Sequence, residues 1–155
     1  MTTNIPLPPL RLDNYFFKDI TVEPRSDYSP PEDGDNYFDF SDILVSCTVS
    51  AGKGLNNKGE EEHYVILEIE TDDGEKRQTP YRIKCTVFGI LEPHPDLSKD
   101  QIQEIIPIQG ATLLYGSARD FLMTITARMG HGPLLLPTLS FHNLLRSPVG
   151  RDKEG

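Results

Sequence analysis

The side chains able to do metal or nucleophilic chemistry are few and scattered along this chain. His63, His94, His131 and His142 lack the i, i+4 spacing that puts two imidazoles on one helix face, and none has a nearby Cys or acid pattern for a metal site. Surface or loop positions account for them. Ser117 sits in Tyr115-Gly116-Ser117-Ala118-Arg119, without the flanking glycines of a hydrolase elbow and without a strand before it, so it reads as a small helix residue. Gly52-Lys53-Gly54 lacks the spacing and the terminal Lys-Ser/Thr of a phosphate loop. Cys47 and Cys85 each stand alone inside an alternating segment, which points to buried, reduced thiols rather than a disulfide framework or a zinc knuckle. The expectation is a non-enzyme with no catalytic residue, no metal and no cofactor. Function must then reside in surfaces.

Four segments alternate with the period of a strand: 12–23, 38–51, 63–71 and 81–91. In the first, Leu12, Phe16, Ile20 and Val22 fall on one face and Asp13, Tyr15, Phe17, Asp19 and Glu23 on the other. The second turns Ile43, Val45, Cys47, Val49 and Ala51 inward, and the third Val65, Leu67 and Ile69. The fourth opposes Tyr81, Ile83, Cys85, Val87 and Leu91 to Arg82, Lys84, Thr86 and Phe88. One-sided strands imply a sheet with one covered face. Asp72-Asp73-Gly74 reads as a tight hairpin turn, whereas 27–36 and 52–62, rich in Pro, Gly, Asp and Asn, read as longer mobile loops.

The cover comes from the last third. Ser98 and Gln101 have capping-box spacing, so a short helix is expected from Ser98 to about Pro107. A longer one follows over 111–129, with Leu114, Ala118, Phe121, Ile125 and Met129 as its apolar stripe and Gly130 at its C-terminus. Residues 141–145 read as one more short helix before a polar tail.

With 155 residues the chain has enough length for one domain with a real core: a flexible arm over 1–10, a folded body over 11–146 and a polar tail over 147–155. The arm carries Pro6, Pro8 and Pro9 and lacks the basic-then-apolar order of a secretory signal. The chain has 24 acidic against 15 basic residues. That balance argues against nonspecific nucleic-acid or anionic-membrane binding and for meeting a basic protein. No apolar stretch approaches the ~20 residues of a membrane helix, so no membrane insertion is expected.

The amphipathic run 111–129 stops at Gly130, passes Gly132 and Pro133, and continues as Leu134-Leu135-Leu136-Pro137-Thr138-Leu139-Ser140-Phe141. This order resembles the bacterial SecB family of export chaperones, in which an Ala-Arg helix is followed by Gly, Pro, a Leu stretch and a Phe. Asn14-Tyr15-Phe16-Phe17-Lys18-Asp19-Ile20-Thr21-Val22-Glu23 is similar to that family's first strand. The resemblance implies an α+β fold, a four-stranded antiparallel sheet covered on one face by a long C-terminal helix. It implies a cytoplasmic homotetramer, a dimer of dimers, acting as an ATP-independent holdase that binds unfolded preproteins and delivers them to the motor SecA. Asp19 and Glu23 match the positions of the family's motor-contact acids, while Lys84 aligns with another family acid and departs from it. In the Leu stretch, Pro137-Thr138 reverses the family's polar-then-Pro order.

Tyr15, Phe17, Tyr64, Ile66, Phe88 and Ile90 fall by parity on the face that should be wet, more apolar area than a monomer ordinarily shows. Either an assembly or a loop covers these side chains, or a shifted register turns them inward, or they contact clients. Tyr15, Phe17, Tyr64, Phe88, Leu134, Leu136 and Phe141 are the client-binding candidates. Leu113, Leu122 and Met123, beside the helix stripe, are the oligomer-interface candidates. Two other functions fit the same residues: a SecB-like chaperone dedicated to one partner such as an antitoxin, and a structural adaptor whose aromatic face is a permanent interface.

Overall fold

The computed structural model describes residues 8–30, 44–75 and 78–143. Four strands, β1 (Leu10–Pro24), β2 (Leu44–Leu55), β3 (Glu61–Asp72) and β4 (Tyr81–Pro93), precede one helix, α1 (Lys99–Thr126). The strands form one antiparallel sheet in the order β1-β4-β3-β2, and α1 covers one of its faces. This is the α+β architecture expected. The central strands carry the core: Val65, Leu67 and Ile69 of β3 and Ile83, Cys85, Val87 and Leu91 of β4 are buried toward α1. Glu68, Glu70, Arg82 and Lys84 stand exposed on the opposite, outer face.

Two glycines set how closely helix and sheet approach. A Cβ on Gly89 would lie 2.7 Å from Leu114 Cδ2, and one on Gly110 would lie 2.6 Å from Val65 Cγ2. The buried stripe of α1 runs Ile106, Gly110, Leu114, Ala118, Leu122 and Thr126, one residue off the expected Phe121, Ile125 and Met129 in its second half. Phe121 is therefore partly exposed at the flank.

The helix begins as expected. Gln101 N donates to Ser98 Oγ at 3.2 Å, and Ser98 N donates to Gln101 Oε1 at 2.9 Å. It does not stop at Pro107, however, but runs unbroken for 28 residues. A proline inside a helix costs about 3 kcal/mol. Ile106 and Ile108, buried on either side of it, each contribute on the order of 1.5–3 kcal/mol by leaving water, enough to carry the helix through. Its end differs too: Ala127 is the C-cap, and Gly132 rather than Gly130 takes the left-handed conformation, with φ +80°.

Residues 133–141 then lie extended on the core. Thr126 Oγ1 donates to Leu122 O at 2.7 Å and accepts from Leu134 N at 2.8 Å. Tyr115 Oη donates to Pro137 O at 2.5 Å, and Arg119 Nε to Leu136 O at 2.6 Å. A short helical turn starts at 142–143; the rest of the expected last helix, the polar tail and most of the arm fall outside the described residues. Leu10, assigned to the arm, is the first residue of β1 and is buried.

The loop expected over 52–62 is mostly strand. β2 and β3 pair without interruption to Leu55 and Glu61, and a five-residue turn closes them. In it Asn56 Oδ1 accepts from Lys58 N and Glu60 N, both at 2.9 Å, and Gly59 has φ +78°. Gly52 serves the sheet, because a Cβ there would stand 2.5 Å from the hydroxyl of Tyr64, whose ring occupies that space. The connection from β3 to β4 spans 73–80, longer than the tight turn expected, and Asp73 Oδ1 fastens it by accepting from Thr79 N at 2.7 Å. The expected start of the second strand, Phe38 to Ile43, lies outside the described residues.

Candidate functional site

β1 determines which aromatic side chains are available, and it does so through two irregularities. Its register against β4 shifts between Leu12 and Asn14 and again between Phe17 and Asp19, so Asp13 and Lys18 have no partner on β4. Each extra residue flips the side-chain parity. Leu12 and Val22 pair with the inward Leu91 and Ile83, but between the bulges the odd residues turn inward: Tyr15 pairs with Gly89 and Phe17 with Val87. The expected faces are thereby exchanged, with Phe16 outside and Tyr15 and Phe17 on the helix side. The even positions Asn14 and Lys18, polar interruptions on a face read as apolar, were the available signal.

Two aromatic surfaces result. On the outer face Phe16 stacks on Phe88 with centroids 5.1 Å apart, and Phe88 stacks on Tyr64 at 5.5 Å. This row crosses β1, β4 and β3 and ends where Tyr64 overlies Gly52 of β2, with Ile66 and Ile90 beside it. Phe16, absent from the sequence candidates, is its most open member at 49% exposure. On the helix side Phe17 meets Phe121 at 4.5 Å, and Tyr15 sits edge-on to Phe17 at 6.5 Å. Ile20, exposed on the same side, extends this second surface along the free edge of β1.

The remaining candidates separate by burial. Leu134, Leu136 and Phe141 are packed in the core, and Leu135 between them is the open residue of the Leu stretch. A surface role for the three buried side chains would require the segment to lift. Leu122 is buried against the sheet, which leaves Leu113 and Met123, both partly exposed, on the free side of α1.

The other end of the outer face is charged. Asp19 and Glu23 lie there exposed, opposite Thr86 and Arg82, and Lys84 stands opposite both Thr21 and Glu70. Beside this end, Arg25 is held by two carboxylates, pairing with Asp27 at 3.0 Å and closely with Asp73. Its bonds to Asp27 and Asp73 push the guanidinium pKa further above its ordinary value. Burial works to raise the Asp73 carboxyl, but its bonds from Arg25 and Thr79 outweigh that and hold it below the usual carboxylate value. His131 Nε2 lies 2.7 Å from Arg25 O, which ties the segment after α1 to the end of β1. Among the described residues no group of three His, Cys, Asp or Glu side chains is placed to hold a metal ion, and no helix is long and apolar enough to cross a membrane.

No family model matches this chain. Its relatives by sequence include the protein-export protein SecB of Wolbachia sp. subsp. Drosophila simulans (strain wRi), 25% identical over 155 residues that cover 90% of this chain and 89% of the relative. The protein of the same name from Wolbachia sp. subsp. Brugia malayi (strain TRS) is 25% identical over 157 residues, 93% of this chain and 92% of the relative. In fold the chain is similar to the SecB-like chaperone Rv1957 of Mycobacterium tuberculosis, solved in complex with a ChAD peptide from the Rv1956 HigA1 antitoxin. The TM-score is 0.54 at 11% identity, over 85% of this chain and 91% of that one.

Proposed function

We propose, on the premise that this chain is a SecB-like protein in both sequence and fold, that it is a chaperone that holds unfolded polypeptides without ATP. The observation that carries the reading is the pair of aromatic surfaces on either side of β1. Phe16, Tyr64 and Phe88 outside, and Tyr15, Phe17 and Phe121 on the helix side, leave rings available to water on both faces of one strand. Stacked rings bind apolar segments with little demand on sequence, which suits a protein that must accept many clients and release them. The formal charge of −9 keeps such a surface soluble and attracts basic clients.

In this proposal the client is an unfolded preprotein in the cytoplasm, and the exposed Leu113 and Met123 of α1 meet other copies in a homotetramer. Delivery to SecA would use Asp19 and Glu23, which share the outer face. A second reading, a chaperone dedicated to one partner such as an antitoxin, is favoured by Arg82 and Lys84, because they interrupt that acidic surface with positive charge.

The test is suppression of aggregation of a chemically denatured model protein by the purified chain without nucleotide. Suppression that is lost in Phe16→Ser/Phe88→Ser, with the melting temperature maintained, is the expected result. An intact parent that suppresses nothing would leave the aromatic rings as a permanent interface. Light scattering on the same sample reads the assembly, and a monomer at micromolar concentration would exclude the tetramer.

A further inference from the structure

The charged end of the outer face is hollow, and the wall of the hollow is divided by charge. A cavity of about 480 Å³ opens there. Its cations, Arg25, Arg82 and Lys84, come from β4 and the residue after β1, whereas its carboxylates, Glu70, Asp72 and Asp73, come from β3 and the residue after it. Because β4 and β3 are neighbours in the sheet, the boundary between the positive and negative halves runs along their junction. Glu23, the register partner of Arg82, is not part of the wall, so the β1 side adds no carboxylate. Arg25 and Asp73 are already committed: they pair with each other, Arg25 also binds Asp27 at 3.0 Å, and Asp73 accepts from Thr79 N at 2.7 Å. That leaves Arg82 and Lys84 facing Glu70 and Asp72, all four exposed. Lys84 and Glu70 are register partners, yet among the described residues none of the four forms an ion pair within 4 Å.

We infer that this hollow binds a small zwitterion, a free amino acid or a dipeptide, with its carboxylate on Arg82 and Lys84 and its ammonium on Glu70 and Asp72. The spacing fits. Neighbouring strands lie about 4.8 Å apart, and one or two residues of chain hold their charged ends roughly 3–7 Å apart. The volume falls in the range of roughly 300–1,000 Å³ usual for small-molecule sites. A ligand carrying only negative charge would gain the β4 half and be repelled by the β3 half, and a purely cationic one the reverse, so both are rejected by like charge. Direct pairing of Lys84 with Glu70 does not compete strongly, because an exposed ion pair holds little free energy. Thr21 on the positive side and Ser46 on the negative side add hydroxyls that can donate to the carboxylate and accept from the ammonium.

This inference does not depend on the holdase reading, since it concerns a small ligand in the charged half of the outer face. The experiment is an amide NMR titration of the intact protein at low salt and about pH 6.5, where an α-amino group and an α-carboxyl group are both charged. The probes are glycine, glycylglycine, N-acetylglycylglycine, which lacks the ammonium, and glycylglycinamide, which lacks the carboxylate. Glycylglycine or glycine is expected to shift the amides of Ser46, Glu70 and Lys84 in a saturable way, and whichever binds more tightly names the ligand. The tighter of the two should exceed both blocked dipeptides at least threefold, as two weakly held exposed charge contacts allow. Two variants make opposite predictions, with melting curves reporting whether each is folded. In Arg82→Gln/Lys84→Gln the amide should overtake the zwitterion, and in Glu70→Gln/Asp72→Asn the acetylated dipeptide should overtake it. Binding of either blocked dipeptide to the parent as tightly as the zwitterion overturns the inference. So does an unchanged ranking in either folded variant, or the absence of saturable shifts at these amides. Aggregation suppression by the same protein is read separately, so loss of one reading leaves the other standing.

Discussion

Gly89 of β4 and Leu114 of α1 touch where the helix crosses the sheet: a Cβ on Gly89 would lie 2.7 Å from Leu114 Cδ2 and 3.3 Å from Cδ1. Leu114 is fully buried, so its methyl groups cannot retreat into water, and the helix itself would have to rise. Gly89→Ala should therefore destabilise the fold by about 1–3 kcal/mol, the usual range for an overpacked core. Leu114→Ala alone should also destabilise, but the pair together should cost less than the sum of the two. Denaturant unfolding of the four proteins checks this, and simple additivity would mean the contact is not tight.

The network that joins β1 to the β3–β4 connection makes stability depend on acid pH. Asp73 is bonded to Arg25 and Thr79 and its carboxyl is held below the ordinary value. A depressed folded pKa stabilises the native state at all pH above the unfolded value, about 3.9 for Asp, and the contribution disappears as pH falls through the folded value. The melting temperature should accordingly drop as the solution is acidified below about pH 4. Asp73→Asn should be less stable than the parent at pH 7 and should approach it in acid, and a constant gap across the range would count against the network.

Cys47 and Cys85 face the core from β2 and β4, the second fully buried. Burial pushes both thiols up to about 11. At pH 8 only about a thousandth of each is thiolate, the form that reacts. Native protein should react with a thiol reagent orders of magnitude more slowly than protein in urea. Cys47→Ala/Cys85→Val should leave aggregation suppression unchanged, and fast native labelling would mean the core opens on the time scale of the assay.

How much of this was legible in the sequence depended on which physical effect dominated locally. The central strands β3 and β4 follow strict alternation, and Val65, Leu67, Ile69, Ile83, Cys85, Val87 and Leu91 lie where parity puts them. The capping box at Ser98 also needs only local chemistry. Parity fails in β1 because the bulges at Asp13 and Lys18 arise from pairing with β4, which a single strand does not encode, so strict alternation puts Phe16 inward and Tyr15 and Phe17 outward, the reverse of their places in the sheet. Local propensity alone makes Pro107 a stop, and the burial of Ile106 and Ile108 that carries the helix through it comes from the tertiary fold. Gly52 suggested a loop because the ring of Tyr64 that needs its space comes from the neighbouring strand.

Asp19 and Glu23 remain the residues proposed to meet SecA, and their geometry defines how they can be tested. Both are exposed on the outer face, Asp19 opposite Thr86 and Glu23 opposite Arg82. Charge contacts there are screened beyond about 8 Å at physiological ionic strength, so docking that uses them must weaken with salt. Asp19→Lys/Glu23→Lys should lower SecA affinity by about tenfold, in line with loss of two rim contacts of roughly 0.5–1 kcal/mol each, while leaving client binding nearly unchanged because every ring of the aromatic row is retained, although the Phe16–Phe88 pair lies next to Asp19–Thr86. Lys84→Glu makes the opposite change, adding a carboxylate to the same face, and should strengthen docking. Surface plasmon resonance on the three proteins separates the outcomes. If SecA fails to bind the parent but binds Lys84→Glu, the cation on β4 has closed this face to the motor and the dedicated-partner reading gains. If SecA binds all three alike, it docks elsewhere.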